Sequence, residues 1–307
     1  MLVISLPSDP GLGRELANLL GFRYSEVVFK VFPDGESYLR FPEISGEDEV
    51  LLVLTSYPDQ NRSLLELFLS VELLSSKGLS KVYAVMPYLA YGRQDKEFLS
   101  WEVVSGRAVL KIMRCVGLKK LLVIDIHSEK LLEEFNDLII NVLPVKTFSQ
   151  YIKNNVGEPY ILVAPDVGAS RRVKLIAEFL DKDYVTIKKV RDRVTGEVTH
   201  QLPEDLDVTG VNAVIIDDII STGGTIASIA KYLASRGVRK IYVLASHGLF
   251  VSDALNKLRL SGVNKVVVLN TVRQRLTSNL VEYLDVSEEL AESIKRLGLG
   301  GFVNLSR

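Results

Sequence analysis

Short runs of consecutive apolar residues alternate along the chain with longer stretches whose apolar positions recur every three or four residues. The short runs are Leu2–Leu6, Val50–Leu54, Val82–Met86, Leu121–Asp125, Ile161–Ala164, Ala213–Ile216, Ile241–Ala245 and Val266–Leu269. Continuous apolar runs, rather than alternating ones, suit strands buried on both faces of a parallel sheet. Between them, Ser63–Lys77, Val103–Arg114, Ala169–Leu180 and Thr225–Arg236 carry the helical period. The alternation predicts stacked βα units and an α/β fold with mainly parallel sheets flanked by helices.

One junction recurs: a glycine, two residues, a lysine, then an apolar strand. It begins at Gly78, Gly117, Gly237 and Gly262, with the lysines at Lys81, Lys120, Lys240 and Lys265. A glycine there fits the position just past a helix, where a left-handed backbone costs it little. The stretch Val50–Val85 also parallels Ala213–Leu244 as strand, loop, helix, junction, strand. Helix-to-strand junctions resemble one another in many proteins, so the repeat alone admits a bland explanation. A length of 307 residues favours the sharper one, an internal duplication into two similar α/β domains. The expected boundary lies near Leu143-Pro144, dividing the chain into 1–143 and 144–307, with a helix around Phe148–Asn154 opening the second half.

Composition narrows the function classes. With 37 basic and 38 acidic residues the formal charge is −1, which gives no wide footprint for nucleic acid or an anionic membrane. A single cysteine, Cys115, excludes an intrachain disulfide framework and a multi-cysteine zinc site. The first apolar run is broken by Pro7 and is too short for a signal-peptide core, and no run approaches the ~18 residues that span a bilayer. A cytoplasmic protein is expected.

The chemistry concentrates in Val214-Ile-Ile-Asp217-Asp218-Ile-Ile-Ser221-Thr222-Gly223-Gly224-Thr225. A buried strand delivers two carboxylates, and a loop of small residues then opens into a helix. Backbone N–H groups at such a loop and helix start hold anions, and glycines let a phosphate approach closely. Ser221, Thr222 and Thr225 add hydroxyls. The paired acids would repel a phosphate beside them but suit sugar hydroxyls or magnesium. Together they describe a sugar-phosphate cradle; a capped strand-to-helix turn is the simpler alternative. No lysine stands in Walker spacing, so a P-loop is excluded.

Other residues are less telling by themselves. His127 and Asp166 each follow a buried strand, at the sheet edge where α/β crevices form, and could flank a magnesium–triphosphate. Arg93 and Gln94 could engage phosphate and an adenine edge, or simply belong to a solvated loop. Asp34-Gly35-Glu36 reads as a turn between two strands. The basic run Lys188–Arg193 reads as the limb of a hairpin turning at Thr195-Gly196. His200 is expected in a loop, and His247 at a strand end with hydrogen-bonding duties.

The segment 214–225 resembles the phosphoribosyl-diphosphate loop of type I phosphoribosyltransferases and of ribose-phosphate diphosphokinases. The remaining motifs favour the second family. Val31-Phe32-Pro33-Asp34-Gly35-Glu36 is similar to its early Phe-x-Asp-Gly-Glu loop, and Tyr91-Gly92-Arg93-Gln94-Asp95 to its Tyr-x-Arg-Gln-Asp stretch. Asp125-Ile-His127 matches its Asp-φ-His motif, Pro165-Asp166-Val-Gly168 its Pro-Asp-x-Gly motif, and Lys189-Val190-Arg191 its catalytic Lys-x-Arg loop. These motifs run in the family's order from residue 31 to 225, and Ser246-His247-Gly248-Leu249 adds a further similarity.

The resemblance implies two phosphoribosyltransferase-like domains, ATP-side motifs in the first and a ribose 5-phosphate loop in the second. It implies transfer of the diphosphoryl group of ATP to the 1-hydroxyl of ribose 5-phosphate, giving 5-phosphoribosyl 1-diphosphate and AMP. Lys189 and Arg191 would be catalytic. Phe32, Asp34, Gly35, Glu36, Arg93 and Gln94 would bind ATP, with the Phe32–Glu36 turn reaching a neighbouring subunit's nucleotide in a homodimer or larger assembly. Arg191, Asp217, Asp218, Ser221, Thr222, Gly223, Gly224 and Thr225 would bind ribose 5-phosphate, and His127 and Asp166 would contact Mg2+. Two departures point to the family's archaeal-type branch. Ser221 stands where bacterial and animal members usually have aspartate, and the basic loop continues as Asp192-Arg193. Regulation by ADP and phosphate, known in other branches, is therefore not carried over. A phosphoribosyltransferase consuming the same product would leave Arg93-Gln94 and Asp34-Gly35-Glu36 unexplained. A regulatory paralogue would be expected to have lost Lys189, Arg191, His127 or Asp166. A sugar-phosphate-sensing transcription factor would need a basic recognition helix that the sequence lacks.

Overall fold

In the computed structural model, residues 1–44, 46–191, 198–203, 206–273 and 275–302 are described, with the backbone alone along 189–191 and 198–201. The apolar runs become strands. In the first half these are β1 (Leu2–Ser5), β2 (Arg23–Glu26), β3 (Val28–Val31), β4 (Ser37–Arg40), β5 (Glu49–Val53), β6 (Lys81–Val85), β7 (Lys120–Ile124) and β8 (Ile139–Val142). The helices among them are α1 (Leu12–Leu20), α2 (Gln60–Ser76), α3 (Ser105–Cys115) and α4 (Glu129–Glu134). A parallel six-stranded sheet has the order β2-β1-β5-β6-β7-β8, and β3 and β4 form a separate antiparallel hairpin.

The second half repeats the plan. It contains α5 (Val145–Asn155), β9 (Tyr160–Ala164), α6 (Ser170–Leu180), β10 (Tyr184–Thr186), β11 (Lys188–Arg191), β12 (Val198–Gln201) and β13 (Asn212–Ile220). There follow α7 (Gly224–Ser235), β14 (Lys240–Gly248), α8 (Ala254–Leu260), β15 (Lys265–Leu269), β16 (Val281–Leu284) and α9 (Ser287–Arg296). Its parallel six-stranded sheet has the order β10-β9-β13-β14-β15-β16, and β11 pairs antiparallel with β12. Renumbered within each sheet, both orders read 2-1-3-4-5-6, as a duplicated unit requires. His200, expected in a loop, lies in β12 opposite Lys189, because the basic limb pairs with this segment.

Central strands are buried on both faces. In the first sheet Leu52 and Ala84 join Leu67 and Val71 of α2 in one core, while Val3, Leu51 and Leu122 at alternate positions are buried as well. In the second, Val163, Ile215 and Val243 pack with Ile226, Ile229 and Leu233 of α7. Each such Leu, Ile or Val side chain contributes about 1.5–3 kcal/mol by leaving water.

The chain divides into two compact units, 1–142 with 270–275 and 286–307, and 143–269 with 276–285. A cut at 143/144 counts residues 286–307 with the second half, but packing counts them with the first. Helix α9 packs on α1 and β8, the Phe22 and Phe302 rings lie 5.5 Å apart, and the Gly300 N–H donates to Glu49 at 2.8 Å. Segment 270–275 is tied into the same unit, with Thr55 donating to the Thr271 carbonyl at 2.8 Å and Arg273 to that of Pro7. No helix among the described residues is long and apolar enough to cross a membrane.

Candidate active site

In the second unit, β13 is the strand that the other parts are built around. Ala213–Ile216 are fully buried and lead into the carboxyl-terminal half of the strand, which carries Asp217 and Asp218. The loop Ser221-Thr222-Gly223 turns directly into α7, whose first turn has no side-chain cap. Gly223 has φ of +73°, and a Cβ there would come within 3.3 Å of the Ala254 carbonyl oxygen. Both the left-handed backbone and the close approach require glycine. Thr222, Gly224 and Thr225 are exposed and Ser221 half-buried, with the Val251 N–H donating to the Ser221 carbonyl at 3.0 Å. Backbone N–H groups without a side-chain cap, beside exposed hydroxyls, give this helix start the chemistry to hold an anion.

The two acids are unequal. The Asp217 side chain keeps 17% of its exposure and that of Asp218 7%. Each carboxylate accepts the next residue's N–H at 2.9 Å. Arg172 of α6, itself buried, places one terminal nitrogen 3.6 Å from Asp217 Oδ1 and the other 3.8 Å from Asp218 Oδ2. Burial pushes the Asp217 carboxyl well above the usual range, the neighbouring Asp218 pushes it further, and the Arg172 guanidinium opposes both.

Asp166 lies two residues past β9, the strand beside β13, and is exposed. Its Oδ1 accepts the Ala169 N–H at 3.0 Å, which fixes the loop at the start of α6. On the far side of β9, edge strand β10 leads through Ile187 into β11, and the Ile187 N–H donates to the Ala164 carbonyl at 2.9 Å. That bond brings the backbone of β11 to the carboxyl edge of the sheet, with Lys189 and Arg191 at alternate positions. Their side chains, residues 192–193 and the turn expected at Thr195-Gly196 lie outside the described residues.

In the first unit His127 follows β7 and is exposed, just past Asp125, whose φ of +46° turns the chain out of the sheet. The Ile126 N–H donates to Asn141 Oδ1 at 2.9 Å. Ser128 caps α4 by accepting the Leu131 N–H at 3.1 Å and donates to Asp95 at 2.7 Å. This bond ties the His127 loop to the Arg93-Gln94-Asp95 loop. Arg93 is exposed, whereas Gln94 is half-buried, its side-chain oxygen accepting from Ser105 at 2.8 Å. The hairpin turn is closed by Phe32 N–H to the Glu36 carbonyl at 2.8 Å, with Gly35 at φ of +95° and the Glu36 N–H on Asp34 at 3.2 Å. Phe32 is 37% exposed, so it is not a core residue of the chain. It meets Tyr38 edge-on at 5.9 Å, and Lys30 Nζ lies 4.7 and 4.8 Å from the two ring centres.

Sequence reasoning passed over Arg172, Ser128 and Lys30. Ser128 directly follows the Asp-φ-His motif and Arg172 lies four residues past the Pro-Asp-x-Gly motif, but nothing in their spacing distinguishes a buried link from a surface polar residue.

Similarity to known proteins extends over nearly the whole chain. Residues 1–117 match the model for the N-terminal domain of ribose phosphate pyrophosphokinase, and residues 186–302 that for the phosphoribosyl synthetase-associated domain. A ribose-phosphate pyrophosphokinase of the archaeon Sulfolobus acidocaldarius is 37% identical, covering 96% of this chain and 100% of the relative. One from Pyrococcus furiosus is 39% identical over 81% of this chain and 86% of its own. The crystal structure of phosphoribosylpyrophosphate synthetase from Mycobacterium smegmatis has the same fold, with a TM-score of 0.83 at 23% identity, covering 96% and 98% of the two chains.

Proposed function

The chain belongs to the ribose-phosphate pyrophosphokinase family, in company with archaeal members, and from that premise we propose which of its residues do the work. The enzyme transfers the diphosphoryl group of ATP to ribose 5-phosphate. The 1-hydroxyl oxygen bonds to the β-phosphorus, the bond from that phosphorus to the α,β-bridging oxygen breaks, and AMP leaves with the bridging oxygen. The hydroxyl proton is lost to solvent. Similarity to pyrophosphokinases over nearly the full length, at 37% identity and with a match to their N-terminal domain, carries this reading.

The residues divide by unit. In the second, the backbone N–H groups and hydroxyls of Ser221–Thr225 hold the 5-phosphate, and Asp217 and Asp218 serve the ribose hydroxyls. In the first, Arg93 binds ATP phosphates and Gln94 the adenine, while the Phe32–Glu36 turn covers the nucleotide of a neighbouring subunit. The exposure of Phe32 supports this last role. Lys189 and Arg191 offset the charge that grows on the transferring group, because such transfers depend mainly on positioning and electrostatics.

No cluster of three or more His, Cys, Asp or Glu side chains among the described residues could hold a metal by itself. Mg2+ keeps waters and takes one or two protein ligands beside polyphosphate oxygens. His127 in the first unit and Asp166 in the second, each exposed past a strand end, are each proposed as a Mg2+ contact. When bound, Mg2+ neutralises polyphosphate charge and polarises the β-phosphorus. A cytoplasmic location fits a consumer of ATP and ribose 5-phosphate, and the active assembly is at least a homodimer. Incubation with ATP, Mg2+ and ribose 5-phosphate should yield AMP in step with 5-phosphoribosyl 1-diphosphate. ADP in its place would overturn the reading.

A further inference from the structure

Arg172 has no part in the reaction as described, yet it touches both acids of the cradle. It sits in the first turn of α6, which packs on β9 and β13, and it is more than nine-tenths buried. Adjacent carboxylates that are both largely withdrawn from water repel each other strongly unless a cation stands between them. The guanidinium keeps its charge under all working conditions, and its planar fork can face two acceptors at once. Its terminal nitrogens do so here, at 3.6 Å from Asp217 and 3.8 Å from Asp218. Asp218 has both oxygens engaged, one by Arg172 and one by the Ile219 N–H, whereas Asp217 is the more exposed of the pair.

We propose that Arg172 is a positioning residue for ribose 5-phosphate. Shared between the two acids, its guanidinium offsets their repulsion and holds Asp217 toward the ribose hydroxyls, with Asp218 as its buried counter-charge. The inference rests on the reading of Asp217 as a ribose contact. The upward push on the Asp217 carboxyl agrees with it, since the same contacts that raise it are those Arg172 works against.

The test measures kcat and both KM values in Asp217→Asn, Arg172→Gln, Asp218→Asn and the Arg172→Gln/Asp218→Asn double variant. Arg172→Gln should raise KM for ribose 5-phosphate on the order of tenfold and leave KM for ATP within about twofold. In the Asp218→Asn background the same change should raise it by less than about threefold, because one negative charge has gone with the positive one. An equal rise in both backgrounds, or a fall in kcat with both KM values unchanged, would reduce Arg172 to a fold element. If Asp217→Asn leaves KM for ribose 5-phosphate unchanged, the ribose reading itself fails. If that variant raises it and Arg172→Gln does not, only the role of Arg172 fails. Should Arg172→Gln not fold, Arg172→Lys is measured in the same two backgrounds. A point charge cannot span both acids, so a wild-type KM for ribose 5-phosphate in that variant overturns the proposal.

Discussion

At the scale of single residues, the reaction should separate charge stabilisation from substrate binding. Lys189→Ala is expected to lower kcat by on the order of 10²–10³ with little change in either KM, the loss typical of a donor aimed at transition-state charge. Arg191→Lys should recover little, since an ammonium lacks paired donors. Asp217→Asn and Thr225→Val should weaken ribose 5-phosphate binding in calorimetric titrations and leave ATP binding intact. Asp217 also carries a pH signature. Its folded-state pKa is raised, by burial and then by Asp218, so the folded chain holds this proton more tightly than the unfolded one. Stability therefore falls as pH rises from the ordinary carboxylate range through the raised value. Urea unfolding should find Asp217→Asn more stable than wild type at neutral pH, with the gain fading on acidification. The residues that announce themselves in sequence are those whose type is unusual for their setting, such as paired acids ending an apolar strand. Arg172 escapes because its meaning depends on α6 packing against β13, a contact across some forty-five residues of chain.

At the scale of elements, the recurring glycine–lysine junction is a device with a measurable cost. Gly78, Gly117, Gly237 and Gly262 all have φ between +83° and +109°, and each lysine opens a strand, β6, β7, β14 or β15. Alanine at Gly78 meets open space, so only the left-handed backbone is penalised, by roughly 1–2 kcal/mol. Alanine at Gly117 would also press its Cβ to 2.5 Å from Ser75 Oγ, so it should destabilise more. Denaturant midpoints of the two variants would show the order. Central strands were legible because burial on both faces leaves an unbroken apolar run. Edge strands β2, β10 and β16 were not, since Arg23-Tyr-Ser-Glu26 or Val281-Glu-Tyr-Leu284 is only half covered and reads as polar. The hairpin β3–β4 was legible from its turn residues, although its exposure was not.

At the scale of the whole molecule, two sheets of the same order account for the internal echo in the sequence. Whether the ATP site is completed by a second chain is tested by mixing two inactive variants, Glu36→Ala and Lys189→Ala. Shared sites should regenerate some intact ones on subunit exchange, and exchange without recovered activity would refute the sharing. The C-terminal segment gives another test. Glu49 is pulled against its burial to a lowered pKa by Lys81 at 2.7 Å and the Gly300 N–H. A lowered value means stability present above the unfolded pKa and lost as pH falls through the folded one. Glu49→Gln should therefore speed amide exchange near Gly300 at neutral pH, and the difference from wild type should shrink in acid. What the sequence could not disclose is where the last residues go, because α9 is an ordinary amphipathic helix until its partners are known. Its return to the first unit carries a consequence for synthesis on the ribosome. Residues 1–142 leave the exit tunnel first, yet the helix that completes their packing is translated only after the whole of the other unit. At about 5–20 residues per second the wait is on the order of ten seconds or more. Throughout it the nascent first unit exposes the apolar surface that α9 will cover, and this is the interval in which a chaperone would find a substrate.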